Sequence, residues 1–489
     1  MDAIADRSPA ALAPKDVRSI MIGLMVAMML AALDTTIIAP AMPTIGRELG
    51  DIEHLPWIVT SYLLVSTALT PLYGKFADIR GRRPVLLFAV GTFLLGSAAC
   101  ALAPNMIALA LARGLQGVGG AGIFAMSQTI IGDIVPPKER PRYQVYTSAV
   151  WMVANVAGPV LGGVLAEYTH WSMIFWINLP IGLVALWLIN DRLKRMPRNE
   201  RPHRLDMPGA LLMIAASTLL LLALSWGGAR YAWASPQILG LFAAAAAASA
   251  ALVWRQATAE EPLIPLTVLA NPVIGAGAST MFFAMAAYVA LSIYLPVYLQ
   301  TLGGMSVSAS GLALIPLLVF TSFGAGAAAR VLHVSERYKR APMAGLVLAT
   351  LSMAAMALWP RMPFWGVMAA TTVMSLGVGT LFPVINVCVQ AATPRHELGT
   401  TMALMFFLRS LGAAVMIAVF GAVVLGGSGV GVEAIAHGGG LPPGMDAAAL
   451  TTRFATAFWL GTAAFAIATL CFAMLEERPL FGERGARGE

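Results

Sequence analysis

The sequence predicts an all-α integral membrane protein, and two observations carry this prediction. Hydrophobic residues make up 58% of the 489 residues and charged residues only 11%, whereas a soluble protein of this size carries about 25% charged residues. Long apolar runs recur through to the C-terminal part of the chain. Polar surface is too scarce to cover a water-facing globule. Because the apolar runs recur along the chain, a soluble protein with a single membrane anchor is also excluded.

Fourteen runs are long and apolar enough to cross a bilayer, which takes about 20 residues per helix. They cover approximately residues 18–41, 55–74, 84–103, 106–131, 143–166, 171–190, 207–226, 236–254, 272–300, 309–331, 342–359, 364–390, 399–425 and 454–475. Many of the connections are very short, so neighbouring helices are expected to run antiparallel.

The charged loops predict the orientation of these spans. Most of the 31 Lys and Arg residues fall in the termini and in the loops of one side, whereas four arginines lie in loops of the other side. Those four are Arg47, Arg230, Arg361 and Arg453. Because basic loops stay cytoplasmic, both termini are expected to be cytoplasmic, at a bacterial cytoplasmic (inner) membrane. This orientation explains the net charge of +7, so the charge does not indicate binding to a nucleic acid.

A weak repeat predicts the domain organisation. A basic loop at 74–84 follows the second span, and another at 329–340 follows the tenth. Two six-helix bundles are therefore expected, residues 1–190 and 272–489, with a cytoplasmic loop and two inserted helices at 191–271 between them. Such parallel repeats are typical of transporters. The Gly- and Pro-rich stretch 426–452 is expected to form a long outer loop.

Two opposite charges lie at the same predicted depth. Asp34 is seven residues before the outer end of span one, and Arg113 is about seven residues, or about 10 Å, into span four. An ionisable residue there costs roughly 2.5–3.5 kcal/mol on insertion scales, which makes it a functional hypothesis. We expect the two side chains to pair or to share water. Burial favours the neutral form of a carboxyl, whereas a nearby arginine favours its ionised form. A balance between these two effects suits a group that gains and loses a proton. A static ion pair is the alternative.

Residues 74–84, GKFADIRGRRP, introduce a family resemblance. The chain resembles the major facilitator superfamily, specifically its fourteen-span drug:proton antiporter branch, over essentially its whole length. The superfamily's loop motif is matched by Gly74, Asp78, Gly81, Arg82 and Arg83. The resemblance implies a gating role, a cytoplasmic latch that locks the outward-open state. A plain basic loop is the alternative, and it explains the arginines but not the spacing of the acid and the glycines.

Two further stretches support the resemblance. Residues 33–43, LDTTIIAPAMP, are similar to the signature of the fourteen-span branch around its first aspartate. Residues 111–121 of span four match the family's R-x-x-Q-G pattern with Arg113 and Gln116. These two side chains share a helix face because they are three residues apart.

Span five resembles the antiporter motif g-x-x-x-G-P-x-x-G-G over residues 154–163, with Ala154 in place of the first glycine. The matching residues are Gly158, Pro159, Gly162 and Gly163. In the family this motif marks exporters rather than importers, and we expect these residues to take part in gating. An ordinary kinked helix is the alternative, because Gly and Pro are common in membrane spans.

Several polar and aromatic residues are candidates for a substrate cavity. Arg409 lies near the midplane in span thirteen, within a stretch that resembles the branch's pattern. It is a candidate for a charge in the central cavity. The alternative is a structural arginine that is bonded to carbonyl groups. The other candidates are Gln116, Asn155, Tyr288, Tyr294 and Asn386. The alternative for the amides is a hydrogen bond between helices, and the alternative for the tyrosines is simple packing.

Together these features predict a proton-coupled antiporter that exports amphipathic drugs or toxic compounds by alternating access. Asp34 is expected to carry the proton, with Arg113 as its partner, and the proton gradient to drive transport without a cofactor. The expected partners are a small amphipathic substrate, protons and the lipid bilayer; the need for a periplasmic adaptor protein stays open. No ATP-binding, catalytic or metal-ligand motif is found, so no enzyme activity is expected.

Two other functions stay open at this point. One is a dedicated exporter of a single endogenous metabolite or antibiotic. The other is a membrane scaffold that transports nothing, which the sequence disfavours because a scaffold has no need of a buried Asp/Arg pair. The substrate charge is also open: with two intramembrane arginines and one intramembrane acid, neutral, zwitterionic or anionic lipophiles fit at least as well as dications.

Overall fold

The structure is a computed structural model that describes part of the chain. It describes residues 14–51, 54–55, 57–136, 139–195, 206–228, 230–265, 268, 270–334, 338–425 and 447–476. Within these ranges the regular structure is helical, apart from one isolated bridge between Gly227 and Tyr231. Most of the predicted outer loop at 426–452, and the second basic loop around Glu336, lie outside the described residues.

The helices of the first part are α1 (Pro14–Leu49), α2 (Trp57–Arg80), α3 (Arg82–Ala101), α4 (Met106–Ile134), α5 (Arg140–Tyr168), α6 (Met173–Trp176) and α7 (Asn178–Arg192). Two helices follow, α8 (Met207–Trp226) and α9 (Pro236–Thr258). The last part contains α10 (Pro272–Thr301), α11 (Val307–Leu312), α12 (Leu314–Val334), α13 (Arg340–Leu358), α14 (Phe364–Gly379), α15 (Leu381–Ala392), α16 (Leu398–Leu425) and α17 (Ala447–Met474).

Thirteen of the described helical segments are long and apolar enough to cross a membrane. The protein is thus a multi-pass helical membrane protein. The predicted second span at 55–74 lies in α2, which is not among the thirteen. Hydroxyl-bearing residues such as Ser61, Thr67 and Thr70 lower its mean hydropathy, and α2 packs against α4 and α16.

The buried apolar side chains form separate clusters. The largest joins residues between Ala210 and Leu475, and the second joins residues between Ile20 and Leu193 together with Ala403. The main contacts between the helices of the first part and those of the last part are α2 and α4 against α16, and α5 against α12 and α15. Helices α8 and α9 pack against each other, and α8 also contacts α2 and α16.

Glycines of α4 permit the closest helix contacts around the site. A Cβ added at Gly119 would lie 2.3 Å from the backbone nitrogen of Phe93 on α3. One at Gly117 would lie 2.7 Å from the carbonyl oxygen of Tyr62 on α2. Small residues let membrane helices approach in this way, so α4 lies tightly against α2 and α3 and holds Arg113 in a fixed place.

Candidate functional site

Asp34 on α1 and Arg113 on α4 form a buried ion pair. Arg113 Nη1 donates a hydrogen bond of 2.7 Å to Asp34 Oδ2, and the side chains are 2% exposed for Arg113 and 0% for Asp34. The pairing that equal depth predicts is therefore present. A buried pair is favourable only when its other polar atoms also find partners, so the neighbours of both side chains matter.

Two amide side chains complete the environment of the carboxylate. Gln116 Nε2 and Asn178 Nδ2 donate to Asp34 Oδ1 at 2.8 and 2.9 Å. Asn178 also donates to Ser97 Oγ at 3.0 Å. Asp34 thus accepts hydrogen bonds from α4 and from α7. We call Asp34, Arg113, Gln116, Asn178 and Ser97 the Asp34 network.

The guanidinium of Arg113 is fixed by several contacts at once. Its Nε donates to the carbonyl oxygen of Ile58 at 3.0 Å, and its Nη1 also donates to Gln116 Oε1 at 2.6 Å. Its central carbon lies 4.4 Å from the ring centre of Tyr62, which is a cation–π contact. Only the planar fork of an arginine serves these partners together, because a lysine offers a single charged nitrogen.

The Asp34 network ties the charge of one carboxylate to the packing of three helices. Charge-assisted hydrogen bonds are roughly twice as strong as neutral ones, and Asp34 is fully buried. A proton on Asp34 would remove the attraction to Arg113 and would place a donor where the carboxylate now accepts. The hydrogen bonds of Asp34 thus hold α1 against both α4 and α7.

Asp78 joins the end of α2 to the start of α16. Its carboxylate accepts the backbone N–H groups of Gly399 and Thr400 at 3.1 and 2.8 Å, the Thr400 hydroxyl at 2.8 Å, and Arg82 Nη1 at 2.5 Å. Arg82 Nε also donates to Asp133 Oδ2 at 2.9 Å. A carboxylate is stabilised at a helix N-terminus by its free N–H groups and by the helix dipole. We call these five residues the Asp78 latch.

The glycines of the loop motif serve this contact. A Cβ at Gly74 would lie 2.4 Å from the carbonyl oxygen of Gly399. Gly81 has φ +89°, a left-handed conformation that suits glycine. Arg83 has a different partner, since its Nη2 donates to Asn190 Oδ1 at 2.7 Å; it lies outside the latch and ties α3 to α7.

Helix α1 also lies directly against the glycine motif of α5. The hydroxyl of Thr36 donates to the carbonyl oxygen of Ala154 at 2.9 Å. A Cβ at Gly158 would lie 1.9 Å from Thr36 Oγ1, and one at Gly162 would lie 2.1 Å from the carbonyl oxygen of Ile37. A side chain at either position would push the two helices apart.

The rest of that motif is less constrained. Helix α5 continues through Pro159, and a Cβ at Gly163 would meet nothing within 4 Å. Thr36 is only two residues from Asp34, so α1 presents the carboxylate to α4 and the hydroxyl to α5. The same turn of α1 therefore contacts both helices.

A cavity of about 330 Å³ lies between α1, α4 and α5 on one side and α10, α12, α15 and α16 on the other. Four of the predicted cavity residues line it: Asn155, Tyr288, Asn386 and Arg409. Among its described lining residues, Arg409 is the one with a permanent charge.

Aromatic rings cover part of the cavity wall. The ring centres of Phe124 and Trp151 lie 5.0 Å apart and those of Phe124 and Phe406 6.2 Å apart, with interplanar angles of 16° and 25°. The guanidinium carbon of Arg409 lies 4.7 Å from the ring centre of Phe406. Such a wall suits an amphipathic molecule with a flat apolar body, because binding pockets are mainly apolar with a few orienting polar groups.

Two of the predicted cavity residues lie elsewhere. Gln116 belongs to the Asp34 network, and Tyr294 is packed on Phe420 with its hydroxyl donating to the carbonyl oxygen of Ile417 at 3.2 Å. Neither lines the central cavity. Helix α10 is apolar on all sides, so its sequence does not indicate which face points inward.

Sequence reasoning also missed residues that the structure brings into the site. Asn178 and Ser97 complete the Asp34 network, and Thr400 completes the Asp78 latch. Asn178 is recognisable in the sequence as a polar candidate, because it is an amide inside the apolar run 171–190. The serine and the threonine carried none, since hydroxyl groups are common in membrane helices.

A multi-pass helical fold with a buried charge pair and a central cavity is typical of membrane transporters. The family model described as Major Facilitator Superfamily matches residues 24–417. The chain belongs to this superfamily.

Several known proteins are similar to the chain. An uncharacterized MFS-type transporter of Mycobacterium tuberculosis is 34% identical over 399 residues, which cover 81% of this chain and 58% of the relative. The multidrug transporter protein MdtP of Bacillus subtilis is 34% identical over 417 residues, which cover 83% of this chain and 75% of MdtP. The chain thus spans little more than half the length of the mycobacterial relative.

A solved structure shares the fold. The outward-facing crystal structure of a bacterial homologue of the iron transporter ferroportin matches with a TM-score of 0.66 and 12% identity. The match covers 95% of this chain and 100% of that one. At this identity the likeness concerns the fold alone.

Proposed function

We propose that the chain is a proton-coupled antiporter that exports amphipathic compounds by alternating access. The observation that carries the proposal is the Asp34 network, a fully buried carboxylate that is paired with Arg113 and hydrogen-bonded to side chains of two other helices, Gln116 of α4 and Asn178 of α7. The similarity to the multidrug transporter MdtP supports the transport of drug-like compounds. The aromatic wall of the central cavity supports the kind of substrate.

The proposed topology has fourteen spans, with α2 added to the thirteen apolar segments. The packing of α2 against α4 and α16 supports this addition. The two six-helix bundles are residues 1–190 and 272–489, with residues 191–271 as the inserted part. Most members of the two largest apolar clusters fall within one bundle each, although the larger cluster also includes residues of the inserted part. Both termini face the cytoplasm of a bacterial inner membrane, because the basic loops are on that side.

The coupling step begins at Asp34. A proton reaches the carboxylate only when the Asp34 network opens, and a neutral Asp34 no longer attracts Arg113. Helix α1 is then released from α4 and α7. Because Thr36 holds α1 against α5, and Asn155 of α5 lines the cavity, the change reaches the substrate site. Loss of the proton restores the network and the first conformation.

The Asp78 latch controls the other end of the cycle. Its hydrogen bonds join α2 to α16 on the side that we propose to be cytoplasmic. These bonds must break before a compound from the cytoplasm can enter the cavity. The proton gradient supplies the driving force, and the proposal needs no cofactor.

A dedicated exporter of a single metabolite is the second candidate function. The amides around the cavity favour it, since Gln128, Gln144, Asn155 and Asn386 all line the walls. Oriented amides recognise particular hydrogen-bonding patterns. The range of transported compounds separates the two candidates, because a multidrug exporter accepts unrelated amphiphiles at comparable rates.

The proposal is tested with purified protein in liposomes. Several unrelated fluorescent amphiphiles are added, and their movement is followed after a proton gradient is imposed. Proton-coupled export predicts transport against the concentration gradient that stops when an ionophore collapses the proton gradient. Liposomes without the protein are the control. Transport that is insensitive to the ionophore would contradict proton coupling.

A further inference from the structure

The central cavity has a positive charge that no described acid neutralises. Arg409 lines the cavity, and its side chain is half-buried. Within the described ranges, no carboxylate lies at ion-pair distance from it. The described acids of α1, α2 and α4 that lie within the bundle pair with other arginines, Asp34 with Arg113, and both Asp78 and Asp133 with Arg82.

We propose that Arg409 binds the acidic group of the transported compound, so that the preferred substrates are amphipathic organic anions with a flat aromatic body. This inference rests on the export function proposed above and adds the substrate class. The acidic group is a carboxylate or a sulfonate, both of which match the planar fork of a guanidinium.

The first argument is electrostatic. A charged side chain in the interior of a membrane protein is unfavourable unless it is paired or faces water. A bound anion pairs with Arg409, whereas a bound cation is repelled by it, and both effects are larger in the low-dielectric cavity than in water. The cavity therefore discriminates by the sign of charge.

The second argument is geometric. The guanidinium of Arg409 lies over the ring of Phe406, and this ring continues into the stack of Phe124 and Trp151. One end of this aromatic surface thus carries the cation. A flat apolar ring placed along the surface brings an acidic substituent at its edge to the guanidinium.

The third argument concerns the structural alternative for this arginine. A structural arginine in a membrane helix donates to carbonyl oxygens or carboxylates, as Arg113 does to Ile58 and Asp34. In the described part of the chain, the close partner found for Arg409 is the Phe406 ring. The ring faces one side of the guanidinium and leaves its N–H groups available to a ligand.

The test compares two probes of nearly the same shape, one with a charged carboxylate and one with a neutral amide in its place. Anthracene-9-carboxylate and anthracene-9-carboxamide are bound at equilibrium to the purified full-length protein, without any proton gradient. We expect the carboxylate to bind at least about tenfold more tightly, as expected for a close charge pair. Equal affinities of the two probes, or tighter binding of the carboxamide, would overturn the proposal.

Variants of the cavity assign the preference to Arg409. Arg409→Gln should abolish the preference for the carboxylate and leave carboxamide affinity unchanged, while Arg409→Lys should keep most of it. Arg230→Gln, outside the cavity, is the matched control and should behave as the parent protein. Should Arg409→Gln fail to fold, Asn386→Asp places an acid in the same cavity and should likewise abolish the preference. A preference that survives in a folded variant without the positive charge refutes the assignment.

The binding assay separates this inference from the proposed function. Gradient-driven transport of both probes with equal affinities would leave the export function intact and reject the anion site. A clear preference for the carboxylate without gradient-driven transport would support the anion site and reject proton-coupled export.

Discussion

The hydroxyl of Thr36 donates a 2.9 Å hydrogen bond to the carbonyl oxygen of Ala154. This contact joins the helix that carries Asp34 to the helix that lines the cavity with Asn155. In the mechanism that we propose, this contact passes the change at Asp34 on to the cavity wall. It depends on how closely α1 and α5 approach.

The first prediction concerns this approach. Gly158→Ala should lower gradient-driven transport at least about tenfold, because its methyl group would overlap Thr36 Oγ1, and overpacking costs typically 1–3 kcal/mol. Gly163→Ala in the same motif is the matched control and should transport normally, since its methyl group meets open space. The measurement is the initial rate of amphiphile transport in liposomes at equal protein content. Equal rates for the two variants would show that the contact does not matter.

Asp34 shows most clearly how much of the site can be predicted from the sequence. Counting residues from the span ends placed Asp34 and Arg113 at one depth, and the structure pairs them. The count could not find Asn178, because depth alone does not say which helices are neighbours. That information comes from close packing, such as the contact of Gly119 with Phe93.

The Asp78 latch shows a second limit. Its motif was recognised from residue spacing, but the partners of Asp78 are backbone N–H groups of Gly399 and Thr400. Backbone donors have no sequence signature.

Tyr294 shows a third limit. Lipid and protein core are equally apolar, so the sequence of α10 has no polar face that would indicate which side points towards the cavity. The sequence therefore could not predict that Tyr294 lies away from it.

The second prediction concerns the latch. Asp78→Asn should open the cytoplasmic side, because the neutral amide loses the charge attraction to Arg82 and to the start of α16. Thr400→Val removes only one of the four hydrogen bonds of Asp78, so a smaller effect is expected. The measurement is labelling of Ser410→Cys, in the cavity wall, by an impermeant maleimide applied from the cytoplasmic side, in a background without the three native cysteines. Unchanged labelling in Asp78→Asn would contradict the gating role.

The third prediction concerns the geometry of the charge pair. Arg113→Lys keeps the charge but loses simultaneous bonding to Ile58, Gln116 and Asp34. Breaking part of a buried pair is costly, about 3–5 kcal/mol when one partner is removed. We expect transport to fall by at least about tenfold, a loss of about 1.4 kcal/mol. Arg47→Lys, at the exposed end of α1, serves as the control, and normal rates in Arg113→Lys would mean that charge alone suffices.

The fourth prediction concerns the membrane potential. With one coupling carboxylate the account implies one proton per cycle, so export of a monoanion moves two charges, a neutral compound one, and a monocation none. Each charge contributes about 2.3 kcal/mol per 100 mV, or about a 50-fold change in the accumulation ratio. The measurement is accumulation at potentials set with valinomycin and potassium. An identical voltage dependence for the three classes would contradict this stoichiometry.

The measurement that tests the central claim most directly compares two assays on Asp34→Asn. The first is gradient-driven accumulation of an amphiphile, and the second is exchange of labelled for unlabelled amphiphile across the liposome without a gradient. Asp51→Asn, an exposed acid beyond α1, is the control and should pass both. The account predicts that Asp34→Asn keeps exchange and loses accumulation, because the carrier still alternates but no longer binds the proton. Accumulation at the rate of the parent protein would show that Asp34 does not couple transport to protons.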